Sequence, residues 1–241
     1  MKRIHLLITL MAAGVAFSSL SACRYNNCVQ GSGNQATETR KVADFKRLEV
    51  SDSFKVIIKQ DSSSTLSITA DDNLIKYIRT SVSGDKLRIY IRQNTCNSGE
   101  MIVHVPIRML EEVRAGDASE IEADGKITVK DMYFKLSDAA KVTMALTANH
   151  IITHNSDATE LNLKGQATSH DIKISDGSKI NAADMVTSDV TIQASDAAYG
   201  EVNVLNSLNV LASDGAIIKY HGNAPNVNTK KSDAASVEKV N

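Results

Sequence analysis

The sequence predicts an all-β fold: a right-handed, single-stranded parallel β-helix built from coils of about 19 residues. Three observations predict it. An aspartate followed by a small residue returns at Asp117, Asp138, Asp157, Asp176, Asp196, Asp214 and Asp233, with spacings of 21, 19, 19, 20, 18 and 19 residues. Repeats of this length belong to solenoids, in which each unit buries its apolar face only against its neighbours. On both sides of the corner the apolar residues alternate with period two, as in "YFKLSDAAKVTMAL", so one strand enters and another leaves. The three- and four-residue apolar spacing that a helix needs is missing from the repeats.

Taken in chain order, the first segment is a targeting signal rather than part of the fold. "MKRIHLLITLMAAGVAFSSLSAC" carries Lys2 and Arg3, an apolar run from Ile4 to Phe17, and small residues ending at a cysteine. The apolar run is short for a membrane span. Leu20-Ser21-Ala22-Cys23 has the form of a lipobox, which assigns residues 1–22 to a lipoprotein signal peptide and Cys23 to lipidation. An ordinary secretory cleavage near Ala22 is the competing reading. Residues 23–40, polar and without an apolar period, are expected to be a flexible tether. The solenoid domain is expected to occupy 41–241.

An eighth corner stands upstream in "LEVSDSFKVII", where Asp52 has Leu48 and Val50 behind it and Val56 and Ile58 ahead. Between Asp52 and Asp117, "TLSITA", "KLRIYI" and "MIVHVP" alternate as strands but lack the corner, and "DNLIKYI" reads as a short helix. The N-terminal third is therefore expected to be the same architecture made irregular. In the ladder proper, the fourth residue after each aspartate is Ile121, Val142, Leu161, Ile180, Gly200, Ile218 or Val237, which marks a core column. The residue immediately after the aspartate is always Ala or Gly in the seven repeats, which suggests a place where space is short.

The row Asp52, Asp117, Asp138, Asp157, Asp176, Asp196, Asp214 and Asp233 poses an electrostatic question. Stacked coils repeat every ~4.8 Å, and two carboxylates at that spacing repel by roughly 3 to 4 kcal/mol at an effective dielectric of 20. Backbone N–H bonds at each turn, protonation or bridging cations would relieve this. Ser and Asp organise turns through such local bonds, and a following small residue lets the chain bend, so the row reads as a structural turn device. Calcium bridging competes, but calcium solenoids use glycine-rich loops, and glycine is only 12 of 241 residues here.

These segments resemble a known family. The opening "FKRLEVSDSFKVIIKQ", then "ADDNLIKYI", then the ladder of Ser-Asp-Ala corners is similar to the head GIN domain, also called putative auto-transporter adhesin, over roughly Lys41 to Val237. The resemblance implies a single-stranded right-handed β-helix, an adhesive function and no catalytic residues. No barrel-forming region follows Asp233, so a lipid anchor rather than self-export is expected to position the domain.

The remaining chemistry narrows the function. Losing Lys2 and Arg3 with the signal takes the formal charge from −1 to −3, which leaves no basic field for nucleic acid. Aromatics are 4% and Trp is absent, against a lectin-like stacking groove. After Cys23 only Cys28 and Cys96 remain; an exported location permits a disulfide, and two free thiols are the alternative. His104, His150, His154, His170 and His221 are expected on the surface rather than at a metal, because strand spacing puts His150 and His154 about 13 Å apart. No cofactor is implied. Acid and base carboxylates for glycoside cleavage could be found along the row, but identical coils argue against a unique site.

The sequence thus predicts a non-enzymatic, lipid-anchored solenoid of the outer membrane. Its partners would be the membrane, through the anchor, and a host or envelope glycan or protein as ligand. A pectinase-like β-helix enzyme and a binding module for a lipid or envelope component are the alternatives.

Overall fold

The computed structural model describes residues 28–96 and 98–240. Two thirds of the described residues are strand, in 19 segments, with one three-residue 3-10 turn among them at Ile75–Tyr77 where a short helix was expected. The N-terminal strands are β1 (Val29–Gln30), β2 (Gln35–Lys41), β3 (Arg47–Val50), β4 (Lys55–Gln60), β5 (Thr65–Asp71), β6 (Ile78–Ser83), β7 (Lys86–Ile91), β8 (Thr95–Cys96) and β9 (Ile102–Ile107). The regular stack comprises β10 (Glu112–Ala115), β11 (Glu120–Thr128), β12 (Asp131–Leu136), β13 (Lys141–Asn155), β14 (Glu160–Ile174), β15 (Lys179–Ala194), β16 (Tyr199–Ala212), β17 (Ile217–His221), β18 (Asn226–Lys231) and β19 (Ser236–Lys239).

Each coil lies parallel to the next, displaced by one repeat. Lys141 pairs with Glu160 and Asn155 with Ile174, an offset of 19 residues held along the whole of β13 and β14. About seven such turns form the solenoid. Because the register holds on both sides of every corner, residues at equivalent positions there stack in columns. In the column four residues after the aspartate, Val56, Ile121, Val142, Leu161, Ile180 and Ile218 are fully buried, while Val237 in the last coil is half-buried. Burying each such side chain contributes roughly 1.5–3 kcal/mol. Gly200 interrupts the column, and Ile218 takes its space: a Cβ there would stand 2.9 Å from the Ile218 Cδ1.

The second bend of each coil has no motif. In β13 the inward residues are Val142, Met144, Leu146 and Ala148, then Ile151, Thr153 and Asn155, so the in-out phase slips by one near Asn149. Strands of 14 to 16 residues therefore run almost from corner to corner, bent rather than broken, where two separate strands were expected. Register slips gather on this side, between Glu122 and Lys126, Asn162 and Gly165, and Ala182 and Val186. At Gly165, with φ 120°, a Cβ would lie 2.1 Å from the Leu146 carbonyl oxygen, so only glycine fits.

The phase slip also corrects one histidine. His170, expected on the surface, is buried in a column between Ile151 and Val190. Its Nε2 lies 2.8 Å from the Thr153 Oγ1 of the previous coil. Burial pushes its pKa down to about 3, with the His150 charge adding to the effect, so the ring is neutral.

The N-terminal end is irregular. Strands β3 and β4 continue the parallel stack onto β7 and β9, but β6 pairs with β7, β5 with β9, and β2 with β5 in antiparallel fashion. The tether expected over 23–40 is thereby corrected for its described part. Residues 35–41 form β2, which pairs from Gln35↔Asp71 to Lys41↔Thr65, and Val29–Gln30 pairs with Thr95–Cys96. Strand β2 shows no apolar period because it lies at an edge and is held by backbone bonds and by Arg40, whose guanidinium donates to the carbonyls of Ile75 and Ile78.

Two outcomes follow from the columns. Ile180→Asp places an unpaired charge between Leu161 and Gly200 and should cost several kcal/mol, read as a large drop in the urea midpoint. For His170, the unfolded chain binds a proton that the folded one refuses. Its contribution to stability is complete above about pH 6.5 and is lost as pH falls toward 3, on the order of 1 kcal/mol per pH unit. His170→Gln should flatten that part of the pH–stability curve.

Candidate functional site: the aspartate corner ladder

At every corner of the ladder two consecutive residues are left-handed. The aspartates have φ between 50° and 63°, and the residues after them, Ser53, Ala118, Ala139, Ala158, Gly177, Ala197, Gly215 and Ala234, have φ between 56° and 73°. Two central residues with positive φ make a tight reversal of the primed kind, which asparagine, aspartate and glycine tolerate best. In six corners the residue before the aspartate accepts, through its carbonyl, the N–H two residues after it; for Ser175 and Ser178 the distance is 3.0 Å.

The corners are then tied to one another. The amide of each small residue donates to the aspartate carbonyl of the following corner: Ala118 to Asp138 at 2.8 Å, Ala139 to Asp157 at 2.9 Å, and so on to Gly215 and Asp233 at 2.8 Å. This backbone ladder continues the hydrogen bonding of the strands around the bend.

The position of the small residues corrects the expectation of crowding. Ala139, Ala158 and Ala197 are exposed, and a Cβ at Gly177 or Gly215 would meet nothing within 4 Å. These residues are small because a left-handed backbone penalises a larger side chain, not because space is short. The crowded column is the next one, Ser119, Ala140, Thr159, Ser178, Ala198 and Ala216, at most 1% exposed. The signal for it stood in the sequence, one residue further along.

The carboxylates behave differently from the expected turn bonds. Asp157 and Asp176 each accept the hydroxyl of the serine before them at 2.6 Å. Only Asp52, among the described row, accepts a backbone N–H, from Ile91 of another strand at 2.9 Å. The seven aspartates from Asp117 onward are exposed, so water screens their repulsion. Among the described residues no group of three or more His, Cys, Asp or Glu is arranged to hold a metal ion.

Other outward columns are ladders of mutual pairing. Three positions after the aspartate, Lys55, Glu120, Lys141, Glu160 and Lys179 alternate in sign, with Lys55–Glu120 at 3.9 Å and Lys141–Glu160 at 4.0 Å. Two positions further, Asn181 donates to Asn162 at 2.7 Å. In the next coils Glu201 accepts from the Tyr199 hydroxyl at 2.8 Å and lies 2.7 Å from the His221 Nε2. These bonds hold its carboxyl below the usual range, and burial beside it pushes the Tyr199 phenol up to about 12. His150 and His154 are separately engaged, with Ser169 and with the Tyr133 hydroxyl. Cys28 and Cys96 are joined in a disulfide, their Cα atoms 5.6 Å apart. Cys23 lies outside the described residues.

If backbone conformation rules the corner, Ala139→Gly should be neutral or stabilising, whereas Ala139→Val should cost about 1–2 kcal/mol despite its open surroundings. Urea unfolding of the two variants measures the difference. A chelator should leave the midpoint of the parent protein unchanged.

Solved structures share this architecture. A putative adhesin from Bacteroides fragilis superposes with a TM-score of 0.83 at 16% identity, covering 88% of this chain and 100% of its own. A putative adhesin from Parabacteroides merdae gives 0.70 at 20% identity, covering 88% and 99%. A putative lipid binding protein from Parabacteroides distasonis gives 0.74 at 16% identity, covering 89% and 100%. At these identities the likeness speaks for the fold alone. No curated protein matches the sequence. The family described as "putative auto-transporter adhesin, head GIN domain" matches residues 44–224, three quarters of the chain, and the chain belongs to it.

Proposed function

We propose that this chain is an exported, lipid-anchored solenoid of the cell envelope that presents its outward columns as a non-enzymatic adhesive surface. The observation that carries the reading is the repetition itself. Each outward position recurs in every coil, so the protein offers long rows of evenly spaced side chains, largely polar and charged, rather than one set of converging groups. Such rows suit a repetitive or extended ligand, a glycan or a protein strand, and the family's adhesin description is in keeping with this. Hydrolysis would need one acid and one base distinguished by their surroundings, and the seven corner aspartates from Asp117 onward share one exposed setting.

A lipid or envelope-component binding role has one observation in its favour. A groove of about 350 Å³ crosses β14, β15, β16 and β18, where Leu211, 52% exposed, lies between Gln193 and Lys230 with Lys173 one strand beyond Gln193. An apolar side chain between two cations suits an amphiphile with an anionic head.

Display on intact cells followed by a glycan and matrix-protein array tests the adhesive reading, with retention on at least one immobilised ligand as the expected result. Retention of free lipid alone would favour the second. The anchor has its own test: Cys23→Ala should lose fatty-acid labelling and leave the membrane fraction.

A further inference from the structure

We infer that the N-terminal end of the solenoid is its membrane-facing end, held against anionic lipid headgroups by a leash that the Cys28–Cys96 disulfide shortens. The inference rests on the anchor reading of Cys23 and adds to it an orientation and a contact surface.

The leash is a matter of chain length. Four residues, Arg24 to Asn27, separate Cys23 from Cys28. Five steps of a fully extended chain reach at most about 18 Å. Cys28 is bonded to Cys96, the Val29 amide donates to the Asn94 carbonyl at 2.8 Å, and the Asn73 side chain donates to the Gln30 carbonyl at 2.8 Å, so the leash ends there. Without these ties the next attachment is Ser32, whose amide donates to the Asn73 Oδ1 at 3.1 Å and whose hydroxyl donates to Asp72, and the reach would grow to about 32 Å. Seven turns at ~4.8 Å stack to roughly 34 Å. A leash of about 18 Å therefore keeps the N-terminal end at the bilayer and lets the far coils stand away from it, whereas one of about 32 Å, close to the length of the stack, would leave the orientation open.

The surface beside the leash carries three cations for such a contact, with Asp52, held by the Ile91 amide, and Glu100 lining the same hollow as Cys28 and Arg92. Lys76, Arg79 and Arg92 surround Tyr77: the Lys76 ammonium lies 5.0 Å from the Tyr77 ring centre, the Arg92 amide donates to the Tyr77 carbonyl, and Arg79 donates to the Lys76 carbonyl. Among the described residues, the ion pairs engage none of these three cations. The nearby Asp72 is occupied by the Ser32 hydroxyl and the Asn73 amide. Basic groups next to a lipid anchor are drawn to anionic headgroups, by about 1 kcal/mol each. An aromatic ring among them suits the interface.

The test uses the full lipidated chain in vesicles containing an anionic phospholipid and a headgroup-linked energy acceptor. A donor fluorophore is placed on Ser81→Cys, in the outermost N-terminal strand, or on Asn228→Cys, in β18. Several-fold higher transfer from position 81 than from position 228 is expected. Cys28→Ser with Cys96→Ser should narrow the difference, and so should Lys76→Gln with Arg79→Gln and Arg92→Gln, while the amount of vesicle-bound protein stays the same. Equal transfer from the two positions in the parent, or no response to either set of substitutions, would overturn the orientation while leaving the anchor intact. Protein that does not sediment with the vesicles would refute the anchor, and this inference with it.

Discussion

The structure depends on one backbone constraint, two successive left-handed residues at each corner. Residues other than glycine adopt that conformation at a cost of about 1–2 kcal/mol each, and among the described residues fourteen non-glycine residues do so, all of them at the corners. What offsets the cost is stacking. Each corner donates an amide to the next at 2.8–2.9 Å, and the same stacking brings the aliphatic columns into contact. Remove the neighbouring coils and the conformation loses its support, which is why such a repeat has no stability of its own.

Much of this was legible in the sequence, and the limits were physical. The corner and the period of about 19 could be read because the aspartate and its small follower are required by a conformation, and the core column because burial permits few residue types. The second bend could not be read. It is made by a gradual slip of strand phase near Asn149, with no residue type demanded except glycine at Gly165 and Gly222, and so His170 was placed on the wrong face. Strand β2 escaped notice for a related reason: an edge strand with a mostly exposed, polar sequence leaves no hydrophobic pattern to find. The small column was recognised but explained by crowding, a cause that belongs to its neighbour, Ala140 and its equivalents.

The candidate surface was less legible than the fold. Ladders such as Glu120, Lys141, Glu160 and Lys179 become visible only once the coil offset is known, since their members are far apart in sequence and adjacent in space. In the last described coil the inner columns carry Thr229 and Lys231 in place of aliphatic residues, and β18 is exposed throughout. A polar, lysine-bearing edge of this kind discourages pairing with foreign strands. The two ends of the stack are therefore unlike: one is folded over by antiparallel strands and the other is a polar rim.

The corner spacings vary from 18 to 21 residues, yet every corner superposes on the next, because the register slips lie on the opposite side of the coil. The solenoid has one edge that keeps count and another that forgives. A residue gained or lost at the forgiving edge leaves the corners aligned, while the same change at the counting edge would turn every following side chain inside out. Lineages of this fold can thus be expected to diversify along the bend without a motif, and a foreign peptide grafted there would ride on an undisturbed stack.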